Sequence, residues 1–467
     1  MLSESEVRSR VRDALEVVTP PAPWLASSIQ QAVAKRMQNG TVRRTPRTFR
    51  VSLRILSAAA LIIVVIAGAA TFLIARYSRP LPVPAGPSIP AHSTGWSYGG
   101  GVAMVTATDG WGYGLPFTHS TDAGVNWTDV TPKGAGQSFD EYYLDATHAW
   151  FVDWSGAGPY QFTTYQSADG GRTWQHGSPT SIGTDTDGLA DHQVYFLDPD
   201  HGWLLLSKRD RTANGTPIYS DNLLRTDDGG LHWEMVAVHT APPGWNPGKF
   251  YCYEWCGPMA FASAASGWLL TDSASDPTKP TILVTHDAGV TWRQQTLSLK
   301  TATIGCPCSQ GPGPLIVFDD LHVVFQLYSR TSRRIALIVT SDGGVTWTPR
   351  ALPVGEMKVG FYDVNHGWLI DQSALSTTSF TSPAQPLPLY VTADGGVSWT
   401  RVPTNLQLQS KDGQIISLYF IDQRNGFAIR ANGASAGCVP SSGCTLVWSL
   451  LKTTDGGHTW SVVNPNL

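Results

Sequence analysis

The octapeptide TSDGGVTW, from Thr340 to Trp347, is one of seven copies of a single pattern. The others run from Ser120 to Trp127, Ser167 to Trp174, Thr226 to Trp233, Thr285 to Trp292, Thr392 to Trp399 and Thr453 to Trp460. Their aspartates are Asp122, Asp169, Asp228, Asp287, Asp342, Asp394 and Asp455, spaced 47 to 61 residues apart. Each carboxylate can accept hydrogen bonds from backbone N–H groups inside its own loop, as in an Asx turn. A Gly two places later tolerates the positive φ that a tight turn between strands demands. The closing Trp starts the next strand and lays a large apolar face over its neighbours. The box is a turn.

A weaker motif precedes each box: an apolar stretch, a turn, then Gly-Trp or a relative. Asp109-Gly110-Trp111, His201-Gly202-Trp203, Ser266-Gly267-Trp268, His366-Gly367-Trp368 and Asn425-Gly426-Phe427 are the clear copies, with Ala149-Trp150 and His322-Val323 degenerate. Two turns per unit of about 50 residues predict four antiparallel strands. In the third unit these are Val194–Leu197, Trp203–Ser207, Leu223–Thr226 and His232–Ala237. One such sheet cannot bury both faces alone, so the units pack radially around an axis. Seven units predict an all-β, seven-bladed β-propeller over residues 96–467.

The boxes match the Asp-box, or BNR, signature of the sialidase superfamily. The alternation of HGW with TxDGGxTW resembles the photosystem II stability/assembly factor group. That resemblance covers residues 96–467 and implies the propeller, with the box serving the fold; it assigns no activity. A sialidase would need an Arg-Ile-Pro signature near the first blade. The nearest strings are Arg54-Ile55-Leu56 and Arg334-Ile335-Ala336. The chain also lacks HExxH, Gly-x-Ser-x-Gly and a phosphate loop, so no catalytic residue, metal or cofactor is expected.

Charge divides the chain. Residues 1–54 hold ten Lys+Arg and four Asp+Glu, leaving 22 and 32 for the remainder. A bulk domain with a balance of -10 argues against a nucleic-acid partner. The run ILSAAALIIVVIAGAATFLIA begins at Ile55 and carries no charge. At about 1.5 Å per residue it spans a bilayer core, which predicts a transmembrane helix over 55–76. A cleaved signal peptide would be shorter and nearer the start. Seven basic residues from Lys35 to Arg54 place the N-terminus in the cytoplasm and the propeller outside the cell membrane. Residues 77–95 are Pro-rich and predict a semi-rigid stalk. Val7, Val11, Leu15 and Val18, then Leu25, Ile29, Val33 and Met37, predict two short amphipathic helices within 1–54. These suit the anionic inner leaflet or a cytosolic regulator.

All six cysteines lie beyond the span, which suggests disulfides. Cys438 and Cys444 form one expected pair. Cys306 and Cys308 cannot easily close on each other and are expected to bridge to Cys252 and Cys256; a zinc site from these four is the alternative.

Turns between first and second and between third and fourth strands fall on one face. They are short and uniform, hence scaffold. The opposite face takes the long irregular loops, where recognition tends to reside. Four such loops are Gly177–Gln193, Lys208–Asp221, His239–Met259 and Ala302–Pro314. Trp245, Tyr251, Tyr253 and Trp255 are the aromatic binding candidates, able to stack on sugars or anchor a protein; packing on one another is their alternative role. Asp185 and Asp187 are acidic candidates, although their spacing fits no ordered calcium site. Asp109, Asp145, Asp200, Asp320 and Asp363, with His148, His201, His322 and His366, recur at the first turns and are assigned to turn structure.

The sequence therefore predicts a non-enzymatic, membrane-anchored binding or assembly scaffold whose partner is an extracytoplasmic protein or glycan. A glycoside hydrolase or carbohydrate binder is the second reading. A transmembrane sensor is the third.

Overall fold

A computed structural model describes residues 101–464, apart from 137–138, 156–160, 183–185, 212–213, 216, 241–256, 274–275, 296, 298–307, 311–314, 330–333, 354–356, 372–384, 411–412 and 432–447. The chain divides into two compact units, Met1–Arg79 and Pro80–Leu467, and every described residue lies in the second. The span expected at 55–76, the helices of 1–54 and the stalk fall outside the described residues. Among the described residues no helix is long and apolar enough to cross a membrane.

The described elements are strands in seven antiparallel sheets, the blades of a seven-bladed propeller. Blade 1 is Gly101–Met104, Gly110–Tyr113, Thr118–Ser120 and Thr128–Asp129. Blade 2 is Phe139–Tyr143, Ala149–Ser155, Gln161–Ser167 and Gln175–His176, with Thr180–Ser181 added to its third strand. Blade 3 is Thr186–Phe196, Gly202–Arg211, Pro217–Thr226 and Glu234–Thr240. Blade 4 is Met259–Phe261, Gly267–Ser273, Asp276–Thr285 and Arg293–Gln295. In blade 5 the first strand is split into Cys308–Gln310 and Ile316–Val317, both paired to Val323–Ser329; Arg334–Thr340 and Thr348–Ala351 follow. Blade 6 is Met357–Phe361, Gly367–Asp371, Leu389–Thr392 and Thr400–Val402. Blade 7 is Gly413–Phe420, Gly426–Ala431, Trp448–Thr453 and Ser461–Asn464. Its sheet continues through Gln407–Ser410 to Gln385–Pro386, a segment that belongs in sequence to blade 6.

Blade 3 departs from the sequence reading. Stretches read as the loops Gly177–Gln193 and Lys208–Asp221 are largely ladder, with Thr186 opposite Asp210 and Lys208 opposite Ser220. A backbone ladder needs no apolar side chains, so polar sequence at the end of a sheet hides it. Two register shifts, at Thr186/Gly188 and Leu189/Asp191, also break the alternation that would have signalled a strand.

The core lies between blades. Phe196 ends the first strand of blade 3 opposite Gly202, and a Cβ on Gly202 would sit 2.5 Å from its ring. The glycine lets the ring fold flat over the strand. From the other side Trp150 of blade 2 stacks on the same ring, with centroids 3.9 Å apart and planes 9° apart. Gly267 lies under Phe261 in the same way, as do Gly367 under Phe361 and Gly426 under Phe420. This accounts for Gly-Trp: Gly receives an aromatic of its own blade, and Trp reaches the next one.

The boxes lock the reverse direction. In every box the second glycine has φ between 79° and 93°, and it abuts the preceding blade. A Cβ on Gly289 would lie 2.5 Å from Leu223 Cδ2, and one on Gly124 of blade 1 would lie 2.3 Å from Leu450 Cδ2 of blade 7. The second of these contacts closes the ring. Among the described residues no strand is shared between blades 1 and 7; side chains alone join them. Lys452 Nζ donates to Ala107 O at 2.7 Å across that junction.

Candidate functional site

The box face is chemically self-contained. In the box of blade 5, Thr340 Oγ1 donates to Asp342 Oδ1 at 2.7 Å and accepts from Gly344 N at 2.9 Å. The other bonds to that carboxylate come from Thr346, whose N reaches Oδ1 at 2.9 Å and whose Oγ1 reaches Oδ2 at 2.6 Å. The same set recurs at Asp122, Asp169, Asp228, Asp287, Asp394 and Asp455. These bonds favour the ionised form, holding Asp342, Asp394 and Asp455 down at about 2. The bonding roles of the opening Ser/Thr and of the donor six places after it went unassigned in the sequence reading, although both positions carry a hydrogen-bonding side chain in every copy.

Each box also docks on the first turn of its own blade. The residue after the Asp donates its N–H to a turn carbonyl in all seven blades, from Ala123 N to Thr108 O at 2.6 Å through Gly456 N to Arg424 O at 2.9 Å. Both turns therefore share one face, as expected. The turn histidines hold their loops: His148 Nδ1 meets Asp145 at 2.8 Å and His201 Nδ1 meets Asp198 at 2.9 Å. The side-chain bond to its Asp raises each of these histidine pKa values. In blades 3 and 5 the capping carboxylates are Asp198 and Asp319, not the expected Asp200 and Asp320. The Asp three residues before the His is the one whose oxygens reach the turn N–H groups.

Three of the box tryptophans reach back to the preceding blade. Trp174 Nε1 donates to Val130 O, Trp233 Nε1 to Thr164 Oγ1 and Trp347 Nε1 to Gln295 Oε1. Trp127 and Trp460 donate to the carbonyls of Gly124 and Gly457 in their own boxes. Trp292 and Trp399 meet Phe261 and Phe361 edge-on at 6.1 Å.

Towards the centre the first strands are tied to one another. Tyr142 OH donates to Phe196 O at 2.9 Å and Tyr195 OH to Phe261 O at 2.8 Å. Tyr419 OH accepts from Met104 N, so the same position joins blade 7 to blade 1. Blade 2 adds acids. Asp140, 1% exposed, holds His192 Nδ1 of blade 3 at 2.5 Å and accepts from Trp154 Nε1 at 2.9 Å.

Seven registers allow the blades to be aligned on one another, with the pair Phe196 and Gly202 as reference. Glu141 then falls where the other blades carry Val102, Val194, Met259, Leu315, Val359 and Leu418. Burial and then the neighbouring Asp140 push its carboxyl up to about 7, against one bond from Gly114 N at 3.2 Å. Tyr143 occupies the aromatic position, and its buried hydroxyl has no partner among the described residues. Tyr113 stands where Val152, Leu205, Leu270, Ile370 and Ile429 stand in five other blades and the buried Gln326 stands in blade 5. Strand pleating turns Tyr113 towards blade 2, and Glu141 and Tyr143 towards blade 1. Sequence reading missed this cluster, because the equivalence depends on register.

The predicted recognition residues are not brought together by anything described. Trp245, Tyr251, Tyr253, Trp255 and Asp185 lie outside the described residues, as do Cys252, Cys256, Cys306, Cys438 and Cys444. Asp187 is a backbone position of Thr186–Phe196, and Cys308 one opposite Ser329. Among the described residues no group of three or more His, Cys, Asp or Glu could hold a metal.

No family model matches the chain. A curated relative, the chloroplastic photosystem II stability/assembly factor HCF136 of Arabidopsis thaliana, is 29% identical over 108 residues, 22% of this chain and 23% of that protein. The match therefore spans about a quarter of the relative's length. A solved structure of YCF48 bound to D1 peptide is 14% identical, with TM-score 0.40, covering 79% of this chain and 95% of that one. YCF48 from Cyanidioschyzon merolae is 18% identical, with TM-score 0.39, over 70% and 86%. The chain is a seven-bladed Asp-box propeller, similar over one segment to a photosystem II stability/assembly factor.

Proposed function

We propose that this chain is a non-enzymatic, membrane-anchored scaffold that binds a protein on the propeller face opposite the boxes. The inequality of the two faces carries the reading. On the box face the box carboxylates are consumed by bonds within their own box, and turn carbonyls accept from the box of the same blade or from side chains of a neighbouring blade. At the other end the blades differ: blade 3 extends its strands to between 7 and 11 residues, and blade 7 reaches back to Gln385–Pro386. Variation on a repetitive frame is where a partner can be distinguished. The Arabidopsis relative is named a stability/assembly factor, which supports a protein as partner over a glycan.

The test is cross-linking of the full-length chain in its native membrane, with linked peptides mapped by mass spectrometry. Reproducible links from residues 177–314 to one extracytoplasmic protein are expected. Links confined to the box loops would overturn the assignment of the face. Hydrolysis of envelope glycan by the purified chain would replace the scaffold with an enzyme.

A further inference from the structure

The seven junctions between blades are not alike. The buried side chains of the 2–3, 3–4 and 4–5 junctions run together into one core, from Tyr142 to Trp347. Those of the 6–7 and 7–1 junctions form a second, in which Val102 and Met104 of blade 1 join Phe427 and Leu450 of blade 7. The 1–2 and 5–6 junctions stand apart from both, with six and eight buried residues of their own among the described residues.

Register gives the same division independently. The second-strand residue two places after the Trp position points to the following blade, as Trp203 does. It is aliphatic in blades 2, 3, 4, 6 and 7 and polar in blades 1 and 5, where Tyr113 and Gln326 stand. Tyr113 lies over Gly101 of its own blade, where a Cβ would meet its hydroxyl at 2.0 Å. Gln326 is 2% exposed, and its Oε1 has no hydrogen-bond partner among the described residues. The Trp position fails at the same two places. Trp111 stacks on His119 of its own blade, centroids 4.1 Å apart, and blade 5 carries Val324 there. Aromatic rings do cross these junctions, but tilted or edge-on, at 6.3 Å for Phe117 and Phe151 and 6.4 Å for Phe318 and Phe361.

We propose that the propeller is two rigid arcs, blades 2 to 5 and blades 6, 7 and 1, which turn against each other at the 1–2 and 5–6 junctions. Four blades on one side and three on the other set these junctions nearly opposite each other, so a hinge line runs across the ring. A continuous apolar core resists such a movement inside an arc, because each opened contact exposes apolar surface to water. A polar group at a junction lowers that cost: the buried amide of Gln326 gains water when its junction opens. Hydrogen bonds on the box face span both junctions, Trp111 Nε1 to Asp145 O at 2.8 Å and Arg350 Nη1 to Gly395 O, and keep the arcs joined as they turn. The division stands on packing and register and does not rest on what the propeller binds.

Spin labels on the full-length chain, carried by an unnatural side chain that spares the native cysteines, test the hinge. The box tips Val125, Arg172, Val290 and Val345 are exposed and equivalent in blades 1, 2, 4 and 5. Arg172 and Val345 stand three blades apart within one arc; Val290 and Val125 stand three blades apart across the 1–2 junction. Pulsed electron resonance should give a broader distance distribution for the second pair than for the first. Tyr113→Leu combined with Gln326→Leu, which installs the residue type of the other blades, should narrow the second distribution and leave the first unchanged. If the double variant does not fold, the two pairs in the parent chain decide. Equal widths in the parent chain, or a folded double variant that keeps the whole difference, would overturn the proposal.

Discussion

The indole of Trp203 lies on the ring of Phe261 with centroids 3.6 Å apart and planes 5° apart, although the two belong to neighbouring blades. Trp203 Nε1 also donates to Ala288 O, in the box of that neighbour, at 2.9 Å. One side chain thus ties a blade both to the core and to the turn face of the next.

Trp203→Ala should therefore cost about 3–5 kcal/mol, the range for a large aromatic removed from a packed core. Urea unfolding followed by fluorescence and by far-UV dichroism measures it. A loss below about 1 kcal/mol would mean that the stack contributes little.

Ala123 and Ala288 have φ of 65° and 62° where the other boxes place glycine. Left-handed backbone disfavours a side chain by about 1–2 kcal/mol, partly offset by the extra freedom glycine gives the unfolded chain. Ala123→Gly should raise stability by about 0.5–1 kcal/mol. Gly289→Ala should do the reverse and more severely, because strain combines with the contact to Leu223. Denaturation midpoints of the two variants should move in opposite directions.

Tyr419→Phe removes the hydroxyl that accepts from Met104 N and leaves a buried amide without its partner. A loss of about 1–3 kcal/mol is expected. Added exchange of the Gly101–Met104 amides would locate the damage at the closure, whereas uniform exchange across all blades would contradict that placement.

Stability should peak near pH 5. Asp342, Asp394 and Asp455 sit at about 2 against 3.8 when free and the other four box aspartates are also lowered, so their contribution is present above pH 4 and lost as pH falls. Glu141 is raised from 4.5 to about 7, so its contribution is complete below 4.5 and lost as pH rises through 7. His148 and His201, also raised, lose theirs above 6.5; His119, lowered by burial, works in the opposite sense. Melting temperature against pH should show a dome, with its alkaline limb flattened in Glu141→Gln.

What could be read in the sequence is what acts over short distances. An Asp that bonds a residue four places on leaves its signature inside eight residues, and seven copies expose the ring. Asp198 was confused with Asp200 because either could cap the turn, and only the fold determines which carboxylate points inward. Lys208–Asp221 looked like a loop because charge masks a ladder made of backbone. Glu141 was invisible as an exception until register placed it opposite Phe151 and level with Val194. The aromatic candidates and every cysteine but Cys308 lie outside the described residues, so the fold leaves that reading where the sequence put it.

The closure without a shared strand has a consequence for biogenesis. Met104 and Tyr419 are 315 residues apart, and at about 5–20 residues per second a ribosome needs roughly 15–60 s to deliver the second after the first. Through that interval blade 1 exists with its partner unmade and its apolar flank uncovered. The ring becomes a ring only with the last blade, and a chaperone that sheltered the early one would act in that interval.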